Sequence, residues 1–293
     1  MGHAINAYLS IPKTKCVLIL QLEDNAAWLA PYAYAIVLLG FLIVLFRIVE
    51  NWYADVHNRP LYRHFLVHRN LAASQETVLS NEFAFYRKLS KRHKRQFRHR
   101  VATFLKVKSF VGREDLQISD RMKTMVAAIG CMLSFGRRNY TYGLIEHILI
   151  YPGQFYSKAN DAYHKGEFNP RERALVLSWK DFERGFQIEN DNINLGIHEF
   201  MHAMQLEAKQ SNDLDSARFS KHFQHILEQL TRTEIKERLE HSRYFRKYAF
   251  TNQYEFMAVL AEYFIESPTE LKAQFPELYT GIRNVLNFRF AGY

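Results

Sequence analysis

One pentapeptide stands out for its chemistry: His198-Glu199-Phe200-Met201-His202. On a helix, residues four apart stack one turn from each other on the same face, so these two imidazoles can grip one cation. Glu199 projects about 100° round the helix from His198, too far to join the ligands easily but able to reach a water held at the metal. The chemistry this arrangement supports is metal-assisted hydrolysis. The histidines interrupt an apolar run (Ile193, Leu195, Ile197, Phe200, Met201 and Met204) rather than a charged one, which argues against a surface helix with two unrelated histidines. Cys16 and Cys131 are the only cysteines, so a Cys-rich metal site is excluded and His and carboxylates must hold the ion, expected to be Zn2+.

A catalytic zinc has three protein ligands and one open position, so a third ligand should come from another helix. Residues 248–264 hold two carboxylates, Glu255 and Glu262, inside a strongly apolar helical pattern. A buried carboxylate costs several kcal/mol unless it is paired or metal-bound. Seven apart, both lie on one face two turns apart, so one could bind metal while the other orients a ligand histidine. Spacing does not choose between them.

The elements that must position these residues are mostly helices. Phe83, Tyr86, Leu89, Phe97, Val101, Phe104 and Leu105 recur at spacings of three and four, predicting a helix from about Ser80. Asp120 can cap a second helix through Met132. Residues 144–151, ended by Pro152, and 173–179 read as strands, and helical patterns return from about Asn192. Helices flanking a small sheet, with the chemistry in the later helices, make an α+β arrangement.

Upstream, residues 25–46 carry no charge over 22 positions, enough as a helix to cross a bilayer. Trp28, Tyr32 and Tyr34 at one end, and Trp52 and Tyr53 at the other, suit the two interfaces. A cleaved signal peptide would be shorter and would close with small residues, whereas Phe46-Arg47-Ile48-Val49-Glu50 follows here. Arg47, Arg59, Arg63 and Arg69 after the span outweigh Lys13 and Lys15 before it, which Glu23 and Asp24 partly offset. The positive-inside rule then puts the C-terminal part in the cytoplasm, on a single-pass inner-membrane protein. The expected division is a tail at 1–24, a transmembrane helix at 25–48 and a polar connector at 49–78, where Pro60 breaks any continuous helix. A domain at 79–293 follows, helical over 79–140, with the sheet and metal-binding helices over 141–293.

The expected helix also carries a basic run from Arg87 to Arg100. It reads as a solvated face or as a contact for anionic lipid headgroups. The net charge of +9 permits nucleic acid, but no reading motif or base-stacking pattern accompanies the run, so nucleic acid is not an expected partner.

Several stretches resemble the Mlc titration factor A (MtfA) family of zinc peptidases: Phe104-Leu105, Ile150-Tyr151-Pro152, residues 175–179, Gly185-Phe186, the His-Glu-x-x-His segment, residues 255–259 and Glu262-Tyr263-Phe264. They stand in family order over roughly 81–278, leaving the apolar segment uncovered. That family is similar to the anthrax lethal factor catalytic domain, a zincin whose third ligand is a glutamate preceded seven residues earlier by a catalytic tyrosine. The resemblance therefore implies a zincin-like metallopeptidase domain with Glu255 as third ligand, Tyr248 as hydroxyl donor and Glu262 in support. It also implies a peptide or protein substrate. A zinc-containing protein that sequesters a regulatory partner, such as a transcriptional regulator, with weak or no hydrolysis, is the alternative it raises. One departure is Gln205, where family members often carry an acidic residue.

Overall fold

The computed structural model describes residues 27–57, 68–157, 161–188 and 191–293. The chain divides into two compact units, Met1–His57 and Asn58–Tyr293. In the first, a 3-10 turn at Ala27–Leu29 leads into helix α1, Ala30–His57. Its segment Ala30–Glu50 is long and apolar enough to cross a membrane, and none of that surface is buried. The expected span began at residue 25; residues 25 and 26 lie outside those described, and the α-helix starts one residue before Pro31, whose missing N–H suits a helix's first turn. Pro60 and its break in the connector also lie outside the described residues.

The second unit begins with α2 (Ala73–Glu82), α3 (Ala84–Lys88) and α4 (Lys91–Val107). The single helix expected from Ser80 is thus broken, because Ser90 adopts extended backbone and caps α4 by accepting from His93 N at 3.3 Å. Helix α2 also lies largely inside the stretch read as connector. The basic run is divided accordingly. Arg100 is buried, donating at 2.9 Å to the carbonyls of Ser134 and Arg137, and Arg98 pairs with Glu76. Lys88, Lys91, Arg92 and Arg95 remain exposed.

Strand β1 (Ser109–Gly112) and α5 (Asp120–Leu133) come next. Ser119, not Asp120, caps α5, accepting from Met122 N at 3.2 Å, while Asp120 occupies the first turn, where the helix dipole favours its charge. Strands β2 (His147–Tyr151), β3 (Phe155–Ser157), β4 (Ala162–His164), β5 (Gly166–Asn169) and β6 (Ala174–Ser178) follow. The main sheet runs β1-β2-β6-β5, and β3 pairs with β4 in a separate hairpin. Strands β1, β2 and β6 are parallel, with Phe110, Ile148 and Leu175 in register. Parallel neighbours need a crossover, and α5 supplies the one between β1 and β2. Strand β5 is antiparallel to β6 and forms the sheet's edge, with Gly166 opposite Leu177 and Asn169 opposite Ala174.

Seven helices complete the described part of the chain: α6 (Trp179–Gln187), α7 (Leu195–Gln210), α8 (Leu214–Leu230), α9 (Thr233–Ser242), α10 (Gln253–Glu266), α11 (Pro268–Gln274) and α12 (Pro276–Val285), with a 3-10 turn at Lys247–Phe250 just before α10. The fold is α+β, mostly helical with a small sheet. Phenylalanine dominates its core: Phe97, Phe104, Phe135, Phe182, Phe200, Phe264, Phe275 and Phe288 are fully buried. Phe200, on the solvent-opposed side of α7, meets Tyr142 at 4.9 Å and Phe104 at 6.0 Å between ring centroids. Gly196 permits a close approach here, since a Cβ would stand 2.6 Å from the Phe182 ring. Cys131 is a buried free thiol, and Cys16 lies outside the described residues.

Candidate metal centre

Two asparagine caps start the helices that meet at the site. Asn194 Oδ1 accepts from Ile197 N at 3.1 Å to begin α7, and Asn252 Oδ1 accepts from Tyr254 N at 2.8 Å and Glu255 N at 3.0 Å to begin α10. Helix α7 carries His198, Glu199 and His202, and α10 packs against it with Glu255 and Glu262.

The ligand atoms of His198, His202 and Glu255 all lie within 4.8 Å of one another. His198 Nε2 stands 3.1 Å from His202 Nε2 and 3.0 Å from Glu255 Oε2, and His202 Nε2 stands 3.4 Å from Glu255 Oε1. Tetrahedral bonds of about 2.0–2.1 Å put neighbouring ligand atoms about 3.3 Å apart, so this triangle has the size of three vertices around one ion. The second carboxylate, Glu262, is set elsewhere: its Oε1 lies 2.8 Å from His198 Nδ1, on the ring edge away from the triangle.

The donor set fits a cation on a further count. Glu255 Oε2 is buried and receives no hydrogen bond among the described residues, although the His198 ring nitrogen is close by. With Nδ1–H of His198 directed at Glu262, the Nε2 lone pair and a carboxylate oxygen face each other, an arrangement a shared cation relieves. Protons compete for the same place: burial opposes charge on His198, but Glu255 and Glu262 outweigh it and raise its pKa to about 10. Burial works against ionised Glu255 as well, yet the two imidazoles hold its carboxyl far below the usual range.

Glu262 is almost wholly buried and fully employed. Its Oε1 accepts from Arg246 Nη2 at 2.6 Å, and its Oε2 from Arg246 Nη1 at 3.1 Å and from Asn194 N at 2.7 Å. One carboxylate thus ties the cap of α7, the loop before Tyr248 and the His198 imidazole together. Neither Arg246 nor Asn194 was expected. Asn194 had a legible signal as a capping residue before the apolar run, whereas nothing in the residues around Arg246 marks it.

Glu199 is buried beside the triangle, and desolvation raises its pKa against the pull of the two histidines. Edge strand β5 passes directly over it: a Cβ on Gly166 would stand 2.5 Å from Glu199 Oε1, so glycine is what lets the strand lie this close. Tyr248, half exposed, has its ring 5.9 Å from that of His198, and burial with the Glu255 and Glu199 charges pushes its pKa up to about 12. Gln205 takes no carboxylate role; its Nε2 donates to the Tyr254 carbonyl at 3.2 Å. Cavities of about 420 and 410 Å³ flank the triangle, the first bordered by Gly166, Glu199 and Tyr248, the second by Phe168, His202 and Glu255.

Two relatives and one family model match this chain. An uncharacterized protein of Synechocystis sp. is 25% identical over 240 residues, covering 74% of this chain and 85% of that protein. Mlc titration factor A of Pectobacterium atrosepticum is 26% identical over 200 residues, covering 60% of this chain and 72% of that protein. The family model described as "Glucose-regulated metallo-peptidase M90" matches residues 56–287, which include the whole ligand triangle and its supporting residues. With most of its length matched, the chain belongs to the glucose-regulated metallo-peptidase M90 family.

Proposed function

We propose that the protein is a membrane-anchored zinc peptidase with a zincin-like catalytic domain. The observation that carries the reading is the triangle of His198, His202 and Glu255 with Glu199 buried beside it under an edge strand. When bound, zinc supplies Lewis acidity that makes water acidic near neutral pH and polarises a carbonyl.

The remaining work belongs to side chains. Glu199 receives the attacking water's proton and returns it to the leaving amine; its raised pKa favours holding that proton in between. Tyr248, with a pKa of about 12, keeps its hydroxyl proton and donates to the developing oxyanion. Glu262 fixes the His198 ring with Nε2 toward the ion. Strand β5 pairs only with β6 among the described residues, so its outer edge can receive an extended peptide by strand addition. It contributes Gly166 to one flanking cavity and Phe168 to the other, which runs such a peptide past Glu199.

The exposed apolar surface of α1 supports a bilayer anchor, and the basic residues after it support a cytoplasmic catalytic domain. Exposed Lys88, Lys91, Arg92 and Arg95 suit contact with anionic headgroups. Metal analysis of the purified chain, with peptide hydrolysis by wild type and Glu199→Gln, tests the core of the reading. Zinc should be present in both, and turnover should fall about 10²–10⁴-fold in the variant; equal turnover would sink it.

A second reading is favoured by one relative's name, Mlc titration factor A. The domain would then hold a regulatory protein partner and hydrolyse peptides weakly or not at all. Zinc-loaded protein that cleaves no member of a broad peptide library, yet captures a soluble regulator, would select it.

A further inference from the structure

We propose that the groove leading from Glu255 to α8 is a substrate side-chain subsite, selective through Gln205 for a large side chain that carries a hydrogen-bond donor. This rests on the peptidase reading above and adds the substrate class.

Two neighbouring cavities make up this groove. The one of about 410 Å³ reaches His202 and Glu255 and takes Phe168 from the edge strand. The other, about 450 Å³, runs on between α7, α8 and the start of α10. Gln205, Lys209 and Tyr254 border both, so a side chain leaving a peptide on β5 near the ligand triangle has a continuous path inward. The rings of Phe219, Phe223 and Tyr254 form part of the second cavity's wall, beside polar residues such as Ser216, Ser220 and Gln224. The second cavity is lined by no carboxylate, and its single charged lining residue is exposed Lys209.

The polar feature that discriminates is Gln205. It is buried, and its Nε2 is committed to the Tyr254 carbonyl. Its Oε1 is buried too and has no partner among the described residues. An unsatisfied buried acceptor is costly, and a substrate O–H or N–H that reaches it removes the cost. A site with such an acceptor rejects an otherwise equal analogue that lacks the donor. The groove therefore takes Tyr, Trp or Gln side chains over Phe or Leu, while Lys209 disfavours Lys and Arg.

The full-length chain in detergent, zinc-loaded, is given a positional-scanning peptide library, with products read by mass spectrometry. At one position beside the cleaved bond, Tyr should be preferred over Phe about tenfold in kcat/KM. Gln205→Leu should bring that ratio close to one, with metal content unchanged. Ser220→Trp, at an exposed α8 position that borders the groove, should shift the preference to small side chains. The same Tyr and Phe peptides, fluorescently labelled, are titrated onto Glu199→Gln protein by anisotropy, a readout that needs no turnover. Cleavage with a Tyr/Phe ratio near one at every position, or a ratio that survives Gln205→Leu, would overturn the subsite alone. Absence of cleavage with an intact Tyr/Phe difference in binding would sustain the subsite and count against the peptidase reading. Equal binding of both peptides would overturn the subsite.

Discussion

Glu262→Gln separates metal geometry from simple stability. The substitution keeps volume and removes one charge from a group with four donors aimed at it: His198 Nδ1 at 2.8 Å, Arg246 at 2.6 and 3.1 Å, and Asn194 N at 2.7 Å. A glutamine must turn its NH2 toward one pair of these donors. Arg246, whose side chain is 26% exposed, is left without its counter-charge. Breaking a buried pair from one side costs about 3–5 kcal/mol, and the partial exposure of Arg246 places this case near the lower end. The His198 ring loses its charged acceptor, which should weaken metal binding about 10–100-fold, or about 1.4–2.7 kcal/mol. Chelator-competition titration gives the affinity, and urea unfolding of the metal-free protein gives the stability. Glu262→Gln combined with Arg246→Met removes the orphaned cation and should recover most of the stability while the affinity stays low. Wild-type metal affinity in either variant would refute the idea that Glu262 sets the ligand ring.

Gly166→Ala drives a Cβ to 2.5 Å from Glu199 Oε1 and 2.6 Å from a Leu195 methyl, so hydrolysis should fall at least about tenfold while metal content, measured by mass spectrometry, is retained. Phe200→Ala empties the centre of the aromatic core and should cost about 3–5 kcal/mol in urea unfolding, with metal affinity reduced because α7 loses its seat. Burial pushes the Glu266 carboxyl up to about 8. A carboxylate whose folded pKa is raised favours the protonated fold, so stability should decline as pH rises from about 4.5 to about 8 and then level off. Glu266→Gln should flatten that part of a Tm-against-pH profile. Full-length protein carrying Glu at positions 88, 91, 92 and 95 should lose any preference of its domain for vesicles containing anionic lipid, read by quenching of a label on α4 from the headgroup region; unchanged quenching would remove lipid contact as the role of that face.

Local periodicity along the chain was enough for several parts of the molecule. The stacking of His198 on His202, the displacement of Glu199 and the common face of Glu255 and Glu262 follow from helix geometry alone. The apolar, charge-free stretch required a helix of about membrane length, and β2 and β6 were legible from their runs of branched and aliphatic residues. Local pattern was less able to place boundaries. The side chains of Ser90 and Ser119 take up free backbone N–H groups, and this broke one expected helix and moved the cap of another.

Features that depend on residues far apart in the chain emerged from packing. Helices α7 and α10 cross so that Glu255 closes the triangle while Glu262 meets the other side of the His198 ring; spacing had left those two places interchangeable. Arg246 and Asn194 converge on Glu262 from separate segments, and β5 lies over Glu199 because Gly166 has no side chain to prevent it. Such contacts are set by packing between elements, and the residues that make them carry no local mark of it. The His-Glu-x-x-His motif was therefore readable along the chain, whereas the charge network and strand edge around it arise from the packing of the folded domain.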